Sequence, residues 1–306
     1  MHPNLGFILS LLTAALWGSL PIALRPVVQH VDPITVTWCR YLVAAIGLGV
    51  FLTYDGQLPN KEQFTGYRWL LMLAALAGFA GNNFGFLAGL RLTSPSTAQV
   101  VIQVAPILVI VGAVFLFGEP FGRMQWVGVG AMLVGILTFF HQRLASFGAG
   151  GDQYLTGVLM LLGSAVLWAS YALAQKKLLL EMNSVTIMFI IYVAGSILMA
   201  PAASPARLAS LDGTRLIFLI YCCLNSLVSY GFFSEALAIW PASRVSAVVA
   251  LAPLFTVLFT KIASTLWPAY VAAEALDALN LLGAAMVVGG CVMMALAGRM
   301  VPVPEE

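Results

Sequence analysis

The chain has 306 residues, of which 61% are hydrophobic and only 8% charged, and its formal net charge is +2. A soluble globular domain carries about a quarter charged residues, so this composition excludes a water-facing surface and predicts membrane-embedded helices. The small net charge, with no basic run, excludes a nucleic-acid partner.

A bilayer core takes roughly 20 apolar residues of helix to cross, and ten stretches of the chain meet that requirement. The first, 1–24, follows an N-terminus with no Lys or Arg between Met1 and Asn4, which reads as a membrane span and not as a cleaved leader. The second, 33–53, opens on Pro33 after Asp32 and is interrupted by Arg40. Next come 69–90, then 92–118 with Pro95 after Ser94 near its start, then 124–142. After a polar connection follow 153–175, 182–206 and 216–234. The last two are 241–265, which opens on Pro241 and holds Lys261, and 278–298. The runs are continuously apolar and do not alternate, so they are helices and not barrel strands. Pro21, Pro106 and Pro253 lie deeper and are expected to bend or break their helices. Cys39, Cys222, Cys223 and Cys291 sit in apolar stretches without paired spacing, as small buried hydrophobes do, and no metal or cofactor is expected.

The halves repeat. A shift of 151 places Thr13-Ala14-Ala15-Leu16-Trp17-Gly18-Ser19 over Ser164-Ala165-Val166-Leu167-Trp168-Ala169-Ser170, Trp38 over Phe189 and Tyr41 over Tyr192. A shift of 147 aligns Asn82-Asn83 with Ser229-Tyr230, Ser96 with Ser243 and Pro106 with Pro253. A shift of 155 aligns Glu119 with Glu274, Gly128 with Gly283 and Gly135 with Gly290, which implies about eight extra residues near Leu266–Ala273. Five spans per copy is an odd number, so the second copy lies upside down. The expected architecture is an all-α polytopic membrane protein: ten transmembrane helices as two inverted five-helix repeats, 1–145 and 152–300. Such repeats place a substrate site near the bilayer midplane, between the copies. With the N-terminus inside, inner segments hold seven Lys and Arg and outer segments five, which favours both termini in the cytoplasm.

Polar groups at that depth are the candidates for a site, since an unsatisfied one costs several kcal/mol in hydrocarbon. Thr13/Trp17 and Ser164/Trp168 each pair a hydroxyl with an indole one helical turn apart, and Trp38/Tyr41 and Phe189/Tyr192 repeat likewise. Symmetric positions converge on the pseudo-two-fold axis, so these residues and Tyr171 either wall a cavity or fill packing space. Asn82 stands beside a glycine stripe, Gly78, Gly81, Gly85 and Gly89; Gln99, Gln103 and Pro106 share one face; Ser229 and Tyr230 occupy the Asn82-Asn83 positions of the second copy. Each is read either as cavity lining or as interhelical glue. Arg40 is a candidate contact for a substrate carboxylate or a snorkelling base, and Glu235 either couples transport to protons or pairs with Arg244. Glu119 and Glu274 read as helix-start residues.

Two five-span copies, with Leu16-Trp17-Gly18-Ser19, Leu92-Thr93-Ser94, Val104-Ala105-Pro106, Gly118-Glu119 and Leu251-Ala252-Pro253, resemble the EamA branch of the drug/metabolite transporter superfamily. Within it, the Trp- and Tyr-rich set looks most like the YddG-type aromatic amino-acid exporters of bacterial inner membranes. The resemblance implies export of amino acids or related metabolites by alternating access, as a monomer or homodimer. A neutral, aromatic, amide-rich cavity suits a zwitterion with a bulky side chain. A sugar-phosphate exchanger would want clustered Lys and Arg, and a cationic-drug antiporter an acid within 5–24, and neither is present. An exporter of other small metabolites or drugs is the alternative. An intramembrane enzyme is a further one, for which the sequence holds no Ser/His dyad or paired membrane Asp.

Overall fold

The computed structural model describes residues 3–56, 59, 66–118, 122–139, 141, 153–273 and 276–297. Among them the regular elements are helical: α1 (Pro3–Val28), α2 (Pro33–Asp55), α3 (Arg68–Leu92), α4 (Pro95–Val101), α5 (Val104–Phe117) and α6 (Arg123–Phe139) form the first half. The second half holds α7 (Gln153–Leu178), α8 (Ser184–Met199), α9 (Gly213–Ile239), α10 (Ala242–Val249), α11 (Ala252–Leu266) and α12 (Ala278–Ala297). α4 with α5, and α10 with α11, are the two halves of spans four and nine, so ten spans result. Seven segments are long and apolar enough to cross a membrane, and α6, α11 and α12 are shorter apolar helices. Glu119 and Glu274 lie outside the described residues.

The breaks in spans four and nine follow from proline chemistry. Pro106 and Pro253 have no N–H to give to the carbonyls of Ile102 and Val249, and their rings press on those carbonyls. The chain turns more tightly there, with Gln103 N to Val100 O at 3.2 Å and Ala105 N to Ile102 O at 2.9 Å. The second copy does the same, with Leu251 N to Val248 O and Leu254 N to Leu251 O both at 3.0 Å. Pro21 produces no such break, since α1 runs through it. The carbonyl it leaves without an intrahelical donor, that of Trp17, is taken by Gln99 Nε2 at 2.8 Å, and the Gly18 carbonyl is taken by Thr256 Oγ1 at 2.7 Å. Neighbouring spans thus satisfy what the proline frees.

The inverted repeat is legible in the hydrogen bonds. Tyr41 donates to the Phe79 carbonyl at 3.1 Å, and its counterpart Tyr192 to the Ser226 carbonyl at 3.0 Å. Ser164 donates to the Asn82 carbonyl at 2.9 Å, while Thr13, the equivalent of Ser164, faces the Ser229 carbonyl at 3.5 Å. α3 therefore packs on α7 as α1 packs on α9, and α2 meets α8 near the axis. α6 crosses α12 at its glycines: a Cβ on Gly283 would stand 2.6 Å from the Gly135 carbonyl oxygen, and one on Gly128 2.6 Å from that of Gly290. The extra residues after α11 fold back on the start of α9, with the Trp267 and Tyr270 rings 5.8 and 6.1 Å from Phe218.

Matching caps start α2 and α8. Asp32 Oδ1 accepts from Thr35 N at 2.9 Å, and Asn183 Oδ1 from Thr186 N at 2.7 Å. Partial burial pushes the Asp32 carboxyl up, but the bonds from Thr35 and the nearby Arg207 outweigh it and hold it below the ordinary carboxylate value. A depressed acid contributes stability that is present above the unfolded value of about 3.9 and lost as pH falls through the folded one. Thermal melts of the detergent-solubilised protein are therefore expected to lose stability as pH is lowered from 5 towards 3. Asp32→Asn, which copies the cap at the equivalent position, should flatten that loss, while Asp32→Ala should cost about 1 kcal/mol at neutral pH. Identical acid profiles for the wild type and Asp32→Asn would rule this out.

Candidate functional site

Between the copies lies a cavity of about 70 Å³. α1 supplies Trp17 and Leu20, α2 supplies Arg40, and α3 supplies Asn82, Asn83 and Phe86. The broken fourth span adds Gln99, Ile102, Gln103 and Pro106, while Trp168, Tyr230, Val249 and Ala252 come from the second copy. Its wall residues lie towards the end of the bundle where α1 hands over to α2.

The two tryptophans, equivalent across the repeat, meet edge to face with ring centroids 5.7 Å apart. The Trp17 indole N–H donates to Ser229 Oγ at 2.9 Å, which fixes the ring at the cavity floor. Tyr230 and Phe233 pack on it at 5.0 and 5.1 Å. Beyond this floor, towards the opposite end, Phe79, Tyr171, Tyr230 and Phe233 form a closed aromatic cluster, with Phe79 4.6 Å from Tyr230 and 4.8 Å from Tyr171. By the repeat, these four rings correspond to Ser226, Leu20, Asn83 and Phe86. Three of those four equivalents line the cavity. Rings thus fill one end of the bundle where, at the other, the repeat places residues of the cavity wall.

Of the residues singled out by sequence, Trp17, Arg40, Asn82, Gln99, Gln103, Pro106, Trp168 and Tyr230 are brought together on the wall. The others are not. Tyr41 and Tyr192 are buried away from the cavity with their hydroxyls on backbone carbonyls. Tyr171 is buried in the aromatic cluster, its hydroxyl 3.3 Å from Met188 Sδ. Thr13 donates to the Leu9 carbonyl at 2.8 Å within its own helix, and Ser164 ties α7 to Asn82, accepted by Oδ1 at 2.8 Å. Ser229 serves as the anchor of Trp17, and Trp38 is half-buried off the wall. Glu235 is exposed near the end of α9, outside the cavity, and accepts from the Ser184 hydroxyl. Sequence reasoning missed Leu20, Phe86 and Ile102 as lining, since apolar residues in an apolar span carry no mark of which face they occupy. Asn83 also reaches the wall, with its Nδ2 on the Phe79 carbonyl at 3.0 Å.

A ten-span helical bundle of two inverted copies around a mid-depth cavity is the architecture of a membrane transporter. The chain belongs to the EamA-like transporter family, which matches residues 4–140 and 155–296. It is 39% identical over 297 residues to the "Uncharacterized inner membrane transporter YhbE" of Escherichia coli K12, covering 97% of this chain and 92% of that one. Over 163 residues it is 25% identical to the "Aromatic amino acid exporter YddG" of Ancylobacter novellus, covering 53% of this chain and 55% of that one. A solved structure shares the fold with a TM-score of 0.72 at 17% identity, covering 97% of this chain and 99% of the other.

Proposed function

We propose that this transporter exports amino acids with bulky neutral side chains, aromatic ones favoured, or closely related metabolites, by alternating access across a bacterial inner membrane. The observation that carries the reading is the composition of the cavity wall: Trp17, Trp168 and Tyr230 offer ring faces and edges to an apolar side chain, and Asn82, Asn83, Gln99 and Gln103 offer hydrogen bonds to a polar end. The relative described as an aromatic amino acid exporter supports the substrate class, and the relative described as an inner membrane transporter supports the membrane. The asymmetry between the ring cluster and its repeat equivalents on the cavity wall supports the mechanism, in which the two copies exchange conformations. That exchange would part the Phe79, Tyr171, Tyr230 and Phe233 cluster and close Leu20, Asn83, Phe86 and Ser226 at the other end. Proton coupling through Glu235 has less support, because that carboxylate stands outside the cavity.

The test is counterflow in proteoliposomes loaded with unlabelled amino acid. Labelled tryptophan, phenylalanine and methionine are expected to accumulate transiently, and glycine and glutamate much less. Equal uptake of all five, or none above protein-free liposomes, would refute the assignment.

A further inference from the structure

We propose that Arg40 and Gln103 clamp the two ends of a free α-amino acid, the carboxylate on the Arg40 guanidinium and the ammonium on the Gln103 amide oxygen. This rests on the reading of the cavity as an amino-acid site. Arg40 stands within span two and is only 1% exposed. Its Nε donates to Ser226 Oγ at 2.8 Å, but its Nη1 is shielded from solvent and bonded to nothing. Among the described residues it makes no ion pair. A cation at that depth is expensive unless an anion meets it, and the planar fork of a guanidinium fits a carboxylate.

Gln103 is the complementary case. It is 3% exposed, lies where span four breaks, and its Oε1 is buried without a donor. Each of the other wall amides has one end committed to the protein. Gln99 Nε2 is on the Trp17 carbonyl at 2.8 Å, Asn82 Oδ1 receives Ser164 at 2.8 Å, and Asn83 Nδ2 is on the Phe79 carbonyl at 3.0 Å. Among the described residues of the cavity wall, Arg40 Nη1 and Gln103 Oε1 are thus the buried polar atoms without a hydrogen-bond partner, a cationic donor and an acceptor, which are the needs that a carboxylate and an ammonium on one carbon fill together. Neither group is duplicated: the repeat puts Ile191 opposite Arg40 and Ala250 opposite Gln103. The pair thus imposes one sense of binding on a framework that is otherwise two-fold, and leaves the side chain to the Trp17 and Trp168 rings.

The decisive experiment compares competitors in the counterflow assay on the full-length protein. L-Phenylalanine is set against 2-phenylethylamine, which lacks the carboxylate, and 3-phenylpropanoate, which lacks the ammonium. L-Methionine is run beside 3-(methylthio)propylamine and 4-(methylthio)butanoate. Against the wild type, each analogue is expected to compete about tenfold or more weakly than its parent amino acid. In R40Q the advantage over the amine should shrink to within about threefold, and in Q103L the advantage over the carboxylate should do the same. Analogues that match their parents on the wild type would overturn the clamp, with no variant needed. So would variants that insert and keep both advantages. If neither amino acid is carried, the amino-acid reading falls and the clamp with it; if they are carried and their analogues equal them, only the clamp falls.

Discussion

Gly283→Leu is expected to prevent the protein from accumulating as a folded species, and Gly283→Ala to lower its melting temperature sharply. The reason is local geometry at the crossing of α6 and α12. A methyl on Gly283 would stand 2.5 Å from Phe139 N and 2.6 Å from the Gly135 carbonyl oxygen, both backbone atoms. Neither can swing aside as a side chain would, so the helices must separate. Overpacking a close-fitted core costs typically 1–3 kcal/mol and more where backbone is displaced, and a leucine adds three further carbons to the clash. Small residues let membrane helices approach closely enough for dispersion to hold them, so separation also forfeits contacts along both spans. Gly289→Ala is the matched control, because a Cβ there meets nothing within 4 Å. Size-exclusion profiles and melts of the three variants decide the matter. A Gly283→Leu protein that elutes and melts like the wild type would show that this crossing is loose.

Trp17→Ala is expected to reduce transport of bulky neutral amino acids by about thirtyfold, which corresponds to roughly 2 kcal/mol. The indole touches Trp168, Tyr230 and Phe233, lines the cavity, and gives its N–H to Ser229. Its removal strips a ring from the substrate, unpacks three neighbours and takes the donor from the Ser229 hydroxyl. Trp168→Ala should act in the same direction with a smaller loss. Small substrates should suffer less than large ones, since they fill less of the cavity. Initial rates and apparent affinities at matched abundance in the membrane would measure this. Wild-type values for tryptophan, phenylalanine and methionine in Trp17→Ala would mean that the indole is packing alone.

The spans were legible in the sequence because lipid demands long apolar runs, and the repeat because a few polar and aromatic residues recur in order. Pro106 and Pro253 gave the breaks of spans four and nine from the lost donor alone. Pro21 carried the same signal and produced no break, because Gln99 and Thr256 reach across from other spans, and a single helix's sequence cannot foresee such partners. The site was legible in part for a related reason. Polar residues deep in a span stand out, so Arg40, Asn82, Gln99 and Gln103, which line the cavity, were singled out. Among aromatics the signal fails: Tyr41, Tyr171 and Tyr192 look like wall residues until their hydroxyls are seen to be committed within the core. A helix that is apolar all round hides which face looks inward, which is why Leu20 and Phe86 could not be picked out.

The Asn82–Ser229, Asn83–Tyr230 and Arg40–Ile191 differences have a meaning for the joining of the two copies in one chain. Two identical five-span proteins paired head to tail would present every wall residue twice. An arginine on that wall would face its own image across a lipid-locked hollow, where like charges repel strongly, and so would have to be absent from both. Covalent fusion lifts that constraint, because each copy can mutate alone. One half can hold the lone charge while both supply rings, and a hollow that symmetry would keep neutral acquires a head and a tail.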